Sequence, residues 1–116
     1  MKQIKIIETK FYLNQLSKII HKGLDEDLLR NEIKEFISEN PQDGDVIPGS
    51  GGLRKIRYPM PGKGKSGGYR IIYYFYNEKN PIHLFTIYQK SRAENLSDQE
   101  KQTFSKLIKE LKEIYR

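Results

Sequence analysis

Between Leu53 and Arg70 the chain reads LRKIRYPMPGKGKSGGYR, a stretch with six lysines or arginines and no acid. Residues of this type at this density suit one chemistry above others. They grip a phosphate and stabilise the extra negative charge it gains when attacked, with arginine offering a planar fork and lysine a point charge. Strand alternation sorts them further. Lys55 and Arg57 are two residues apart and share a face with Leu53, while Arg54 and Ile56 take the other. If 53–58 and 69–76 pair as a hairpin, Lys55, Arg57 and Arg70 converge, and the connection hangs Lys63 and Lys65 over one edge.

The wider charge pattern supports the same reading. No Asp or Glu occurs from Val46 to Asn77, and that segment's six cations equal the net charge of the whole chain, +6. Positive charge concentrated in one segment is the footprint expected for a polyanionic partner. Other site types are missing. The chain has no cysteine, which excludes disulfides and cysteine-based metal sites. It has no phosphate-binding glycine loop ending in Lys-Ser or Lys-Thr, and GSGG at 49–52 is too short for a dinucleotide site. His21 and His83 fall in unrelated segments, and His83 reads as one face of a strand. No paired carboxylates stand at a turn or strand end, so neither a metal nor a cofactor is expected.

Aromatic residues interleave with the cations. Tyr58, Tyr69, Tyr73, Tyr74, Tyr76 and Tyr88 cluster in the strand-rich part of the sequence. Two of the three tyrosines at 73, 74 and 76 are expected to be strand-forming core residues. Tyr69 and Tyr88, at strand ends beside basic residues, are candidates for stacking on unpaired RNA bases.

The elements that must position these side chains follow from capping and periodicity. A short strand is expected over 3–7. Thr9 caps a helix over 10–20, with Phe11, Tyr12, Leu16, Ile19 and Ile20 on one side. Asp25 caps a second helix to about Glu39, with Leu28, Leu29, Ile33, Phe36 and Ile37 at helical spacing, and Asn40-Pro41 stops it. Residues 41–52 read as an ordered, turn-rich loop. Strands are expected over 53–58, 69–76 and 82–88, the last two joined by a turn at NEKN. Ser97 and Glu100 form a capping box for a last helix carrying Phe104, Leu107, Ile108, Leu111, Ile114 and Tyr115. This β-α-α-β-β-β-α order argues an α+β fold, a small antiparallel sheet flanked by helices, in a single domain over 1–116. No apolar run is long enough to span a membrane, and the N-terminus lacks the apolar core of a signal peptide. A cytoplasmic protein without a membrane partner is expected.

The segment GGLRKIRYPMPGKGKSGGYRIIYYF, followed by LFTIYQKS, resembles the RelE/HigB branch of the RelE/ParE toxin superfamily. The resemblance is close over roughly residues 45–92, and the flanking helix order fits the whole chain. It implies the toxin of a bacterial type II toxin–antitoxin pair, a ribosome-dependent endoribonuclease that cuts mRNA in the A site of the 70S ribosome and inhibits translation. It further implies a cognate antitoxin that also acts as a DNA-binding repressor, and the toxin alone is expected to be monomeric. In such metal-free ribonucleases the ribose 2′-OH attacks the adjacent phosphate. Lys55, flanked by Arg54 and Arg57, is the candidate base, and Arg57 and Arg70 are the phosphate clamps. Lys90 lies on the leaving-group side, while Arg54, Lys63, Lys65, Tyr69, Tyr88 and Arg92 contact RNA or ribosome. Ser91 follows Lys90 where some relatives carry arginine, and Asn95, Leu96 and Ser97 offer no tyrosine where those relatives have one. Lys90 or Arg92 would then substitute as proton donor, or the ribosome would supply what the protein lacks. Three other readings fit the residues less well: a gyrase poison of the ParE type, which needs no cationic cleft, a non-enzymatic RNA- or ribosome-binding module, and a solvated basic loop on an unrelated scaffold.

Overall fold

A computed structural model describes residues 4–20, 23–59, 68–89 and 96–116. Its elements are β1 (Ile6–Glu8), α1 (Lys10–Ile19), α2 (Glu26–Glu39), β2 (Asp45–Val46), β3 (Arg54–Tyr58), β4 (Tyr69–Tyr74), β5 (Ile82–Gln89) and α3 (Asp98–Tyr115). The five strands form one sheet in the order β1-β5-β4-β3-β2. The fold is α+β, as expected. Two details go beyond the sequence reading. β1 runs parallel to β5, which makes the sheet mixed, and a two-residue strand, β2, extends the edge beyond β3.

The caps act where the residue types predict. The Thr9 hydroxyl accepts from Tyr12 N, Asp25 accepts from Leu28 N, and Ser97 with Glu100 completes the capping box. Thr9 also donates to Leu84 O at 2.8 Å, so the residue that starts α1 fastens it to β5.

Helices cover both faces of the sheet. One face packs Ile56, Tyr69, Ile71, Tyr73, Leu84 and Ile87 against Tyr12, Leu16, Ile33 and Ile37 of α1 and α2. The other packs Leu53, Ile72, Tyr74, Phe85 and Tyr88 under Phe104 and Ile108 of α3. Tyr73 and Tyr74 are both core residues. The helical stripes are covered unevenly: Phe11, Leu28 and Ile114, at apolar positions of their helices, remain more than half exposed.

The β4–β5 register runs without interruption from Tyr69↔Gln89 to Ile72↔Thr86, then skips Phe85 to pair Tyr73 with Leu84. This irregularity places Phe85 in the core under α3 while Leu84 stays in the opposite one. Among the described residues, no helix is long and apolar enough to cross a membrane.

Candidate nucleic-acid interface

Strand register decides which cations meet. Arg57 is directly opposite Arg70 in the β3–β4 ladder, and Arg70 is opposite Tyr88 in the β4–β5 ladder. One row therefore crosses three strands as Arg57–Arg70–Tyr88. The next row on that face is Lys55–Ile72–Thr86, continued on the edge strand by Asp45 opposite Lys55. Lys55, Arg57 and Arg70 thus lie together on the face that carries α3. Directly opposed like charges destabilise an antiparallel pair. Arg57 facing Arg70 is a local cost of the kind that functional sites carry, and an anion bound between the two guanidinium groups would offset it.

Arg54 goes elsewhere. It points to the α1–α2 face, where its guanidinium donates to Gln42 O at 3.1 Å and Gly44 O at 2.8 Å. Its Nη1 group thus holds the loop before β2.

The two tyrosines expected to stack on bases are corrected. Tyr69 is fully buried in the α1–α2 core, and Tyr88 is 8 % exposed in the cluster beneath α3. Neither ring offers a free face to a base. Burial pushes the Tyr88 phenol above its ordinary range, the nearby Arg70 charge partly offsets this, and Glu100 adds to the rise. Tyr88 is thus a buried neighbour directly across the ladder from Arg70. Lys63, Lys65, Lys90 and Arg92 lie outside the described residues.

Beside Lys55 is a cavity of about 480 Å³ that the sequence reading did not foresee. Its polar lining is Asp45, Lys55, Asp98 and Lys101, and Ile47 and Pro48 supply apolar wall. The loop that forms this wall is closely tied. Ser50 is fully buried, donates to Ile47 O at 2.6 Å and accepts from Leu53 N at 3.0 Å. Ser105 of α3 donates to Ser50 O at 2.9 Å. Gly49 and Gly51 take φ of +71° and +80°, the left-handed region that this turn requires. A two-residue strand is too short for alternation to reveal, so the sequence carried no signal for Asp45 beyond its place at the start of the acid-free segment. Among the described residues, no group of three His, Cys, Asp or Glu side chains could hold a metal ion.

The fold and this cation-bearing face together define a small α+β protein with a basic sheet face. Over 80 % of this chain and 90 % of the other, it superposes on a doubly arginine-substituted form of the E. coli toxin RelE in the free state, with a TM-score of 0.53 and 17 % sequence identity. At that identity the likeness concerns the fold. The profile of the RelE toxin of the RelE / RelB toxin–antitoxin system matches residues 5–116, and the chain belongs to that family.

Proposed function

We propose that the protein is a ribosome-dependent endoribonuclease that cleaves mRNA in the A site, and that a cognate antitoxin neutralises it. The observation that carries this reading is the Arg57–Arg70 opposition with Lys55 one row away on the same face. Two guanidinium groups across adjacent strands can hold the non-bridging oxygens of one phosphate. They remain protonated, which makes them clamps and not bases.

The chemistry then runs as follows. Lys55, in its neutral form, takes the proton of the ribose 2′-OH. The 2′-oxygen attacks phosphorus in line, and the bond from phosphorus to the 5′-oxygen breaks. Lys90, or a group on the ribosome, returns a proton to that oxygen. The products are a 2′,3′-cyclic phosphate and a free 5′-OH, so the reaction requires no external water or oxidant. Arg57 and Arg70 stabilise the added charge of the pentacoordinate phosphorane.

This face offers charge but no open aromatic platform among the described residues, since Tyr69 and Tyr88 are buried. Bending the mRNA into the in-line geometry therefore falls to the ribosome, and such positioning is worth about 7–11 kcal/mol in favourable cases. Cleavage is expected on programmed ribosomes and not on the same mRNA free in solution. Primer extension maps the 5′ ends in both reactions. Cuts confined to the A-site codon would uphold the reading. Equal cutting of free RNA would remove the ribosome from it, and no cutting in either reaction would leave gyrase supercoiling as the next assay.

A further inference from the structure

We propose that Asp45 is a positioning residue for Lys55, an inference that rests on the nuclease reading above. Asp45 pairs directly with Lys55 across the β2–β3 ladder. Directly opposed residues in an antiparallel pair have Cβ atoms roughly 4.5–5.5 Å apart and project from the same face. The carboxylate therefore stands within reach of the lysine stem, and both side chains line the same cavity.

The protein locates this carboxylate with unusual care for a strand of two residues. The Tyr73 hydroxyl donates to Pro41 O at 2.9 Å and accepts from Gly44 N at 3.0 Å. Arg54 holds Gln42 O and Gly44 O from the same side. Beyond β2, Ile47 N donates to Leu53 O at 2.8 Å. Gly44 is pressed so closely that an added Cβ would lie 2.6 Å from the Tyr73 hydroxyl oxygen. Asp45 follows this fastened glycine directly, and its backbone position is fixed from both sides.

Lys55 needs such a neighbour. It shares its sheet face with Arg57 and Arg70, two fixed positive charges. A flexible four-carbon stem that must present one nitrogen lone pair to a ribose hydroxyl gains from a fixed acceptor in its own row, to which the neutral amine can donate an N–H. Other charged groups lie nearby: Asp98 and Lys101 of α3 line the same cavity, and Arg57 and Arg70 stand one row away on the same sheet face. Of the two acids that line the cavity among the described residues, Asp45 is the one paired with Lys55 in the ladder.

The test compares Asp45→Asn, Asp45→Glu and Asp98→Asn in single-turnover cleavage on saturating programmed ribosomes. Ribosome affinity and thermal unfolding are measured alongside. Asp45→Asn is expected to cut up to about 100-fold more slowly, the scale of a misplaced catalytic group. It should bind ribosomes at least as tightly as the wild type, because a negative charge has been removed from a phosphate-binding face. Asp45→Glu should recover part of the rate, and Asp98→Asn should cut nearly as well as the wild type. Cleavage that is unchanged in Asp45→Asn, that falls in step with affinity, or that falls equally in Asp98→Asn would overturn the inference. So would an Asp45→Asn chain that does not fold, since the residue would then be structural. A wild-type protein that cuts nothing would remove the nuclease reading itself, an outcome distinct from all of these.

Discussion

Arg54 and Arg57 sit on the same five-residue strand, three positions apart, and the sheet sends them to opposite fates. On the α1–α2 face, Arg54 donates to two backbone carbonyls and helps fasten the loop before β2. On the α3 face, Arg57 looks across the ladder at Arg70, a pairing of like charges that costs stability. A run of like charges in a sequence is therefore not one surface. Strand alternation splits it into a structural half and a half left for chemistry.

The sharpest way to break that division is to remove one cation from each side. Replacing Arg70 with alanine is expected to lower single-turnover cleavage on ribosomes by roughly 10²–10³-fold, the usual loss when one group that stabilises the transition state is deleted. Its unfolding midpoint should hold or rise, because the repulsion with Arg57 is relieved. Replacing Arg54 with alanine should do the reverse, with lower stability and a much smaller loss of rate. If the two variants lose cleavage equally, the two faces are not functionally distinct.

A smaller effect is expected within the structural half. Tyr73→Phe removes the hydroxyl that bridges Pro41 O and Gly44 N and leaves a buried N–H without its partner. The expected cost is about 1–3 kcal/mol in urea unfolding, with ribosome affinity unchanged. A variant as stable as the wild type would show that the Arg54 contacts alone hold the loop.

These two faces also show what the sequence could reveal. Helix starts were legible because capping is local: Thr9, Asp25 and Ser97 each bond a backbone N–H within three residues. The sharing of a face by Lys55 and Arg57 was legible for the same reason, since period two needs no partner. What needed a partner was not legible. The parallel pairing of β1 with β5 joins residues 76 positions apart, and the skipped Phe85 shows only once β5 is paired with β4. Tyr69 and Tyr88 looked accessible beside basic neighbours, but a strand position says nothing about what packs above it. Ile114 fits the helical stripe of α3 yet stays 71 % exposed, because periodicity identifies a face and not how much of it a neighbour covers. Asp45 was missed because its strand exists only by pairing with β3.

The smallest expected effect tests whether the buried charges of the structural face are satisfied in a way those of the α3 face are not. Glu8, at the end of β1, accepts from Arg30 Nε at 2.9 Å and from a second Arg30 nitrogen at 3.0 Å, with Lys34 Nζ 3.5 Å away. The Arg30 hydrogen bond holds the Glu8 carboxyl below its ordinary value. Burial pushes the other way, and the charges of Arg30 and Lys34 reinforce the lowering. The folded chain thus takes up this proton less readily than the unfolded one. The stabilisation is complete above the ordinary carboxylate range and is lost as pH falls through the lower folded value. Urea midpoints measured from neutral pH down through about pH 5 and below should fall for the wild type. Glu8→Gln should start lower and fall less steeply, whereas Arg70→Ala should keep the wild-type slope. An acid limb that is as steep in Glu8→Gln would mean that other carboxylates set it. The cluster would then be a surface ion pair of little weight, and the contrast between a satisfied face and a face of opposed like charges would rest on Arg54 alone.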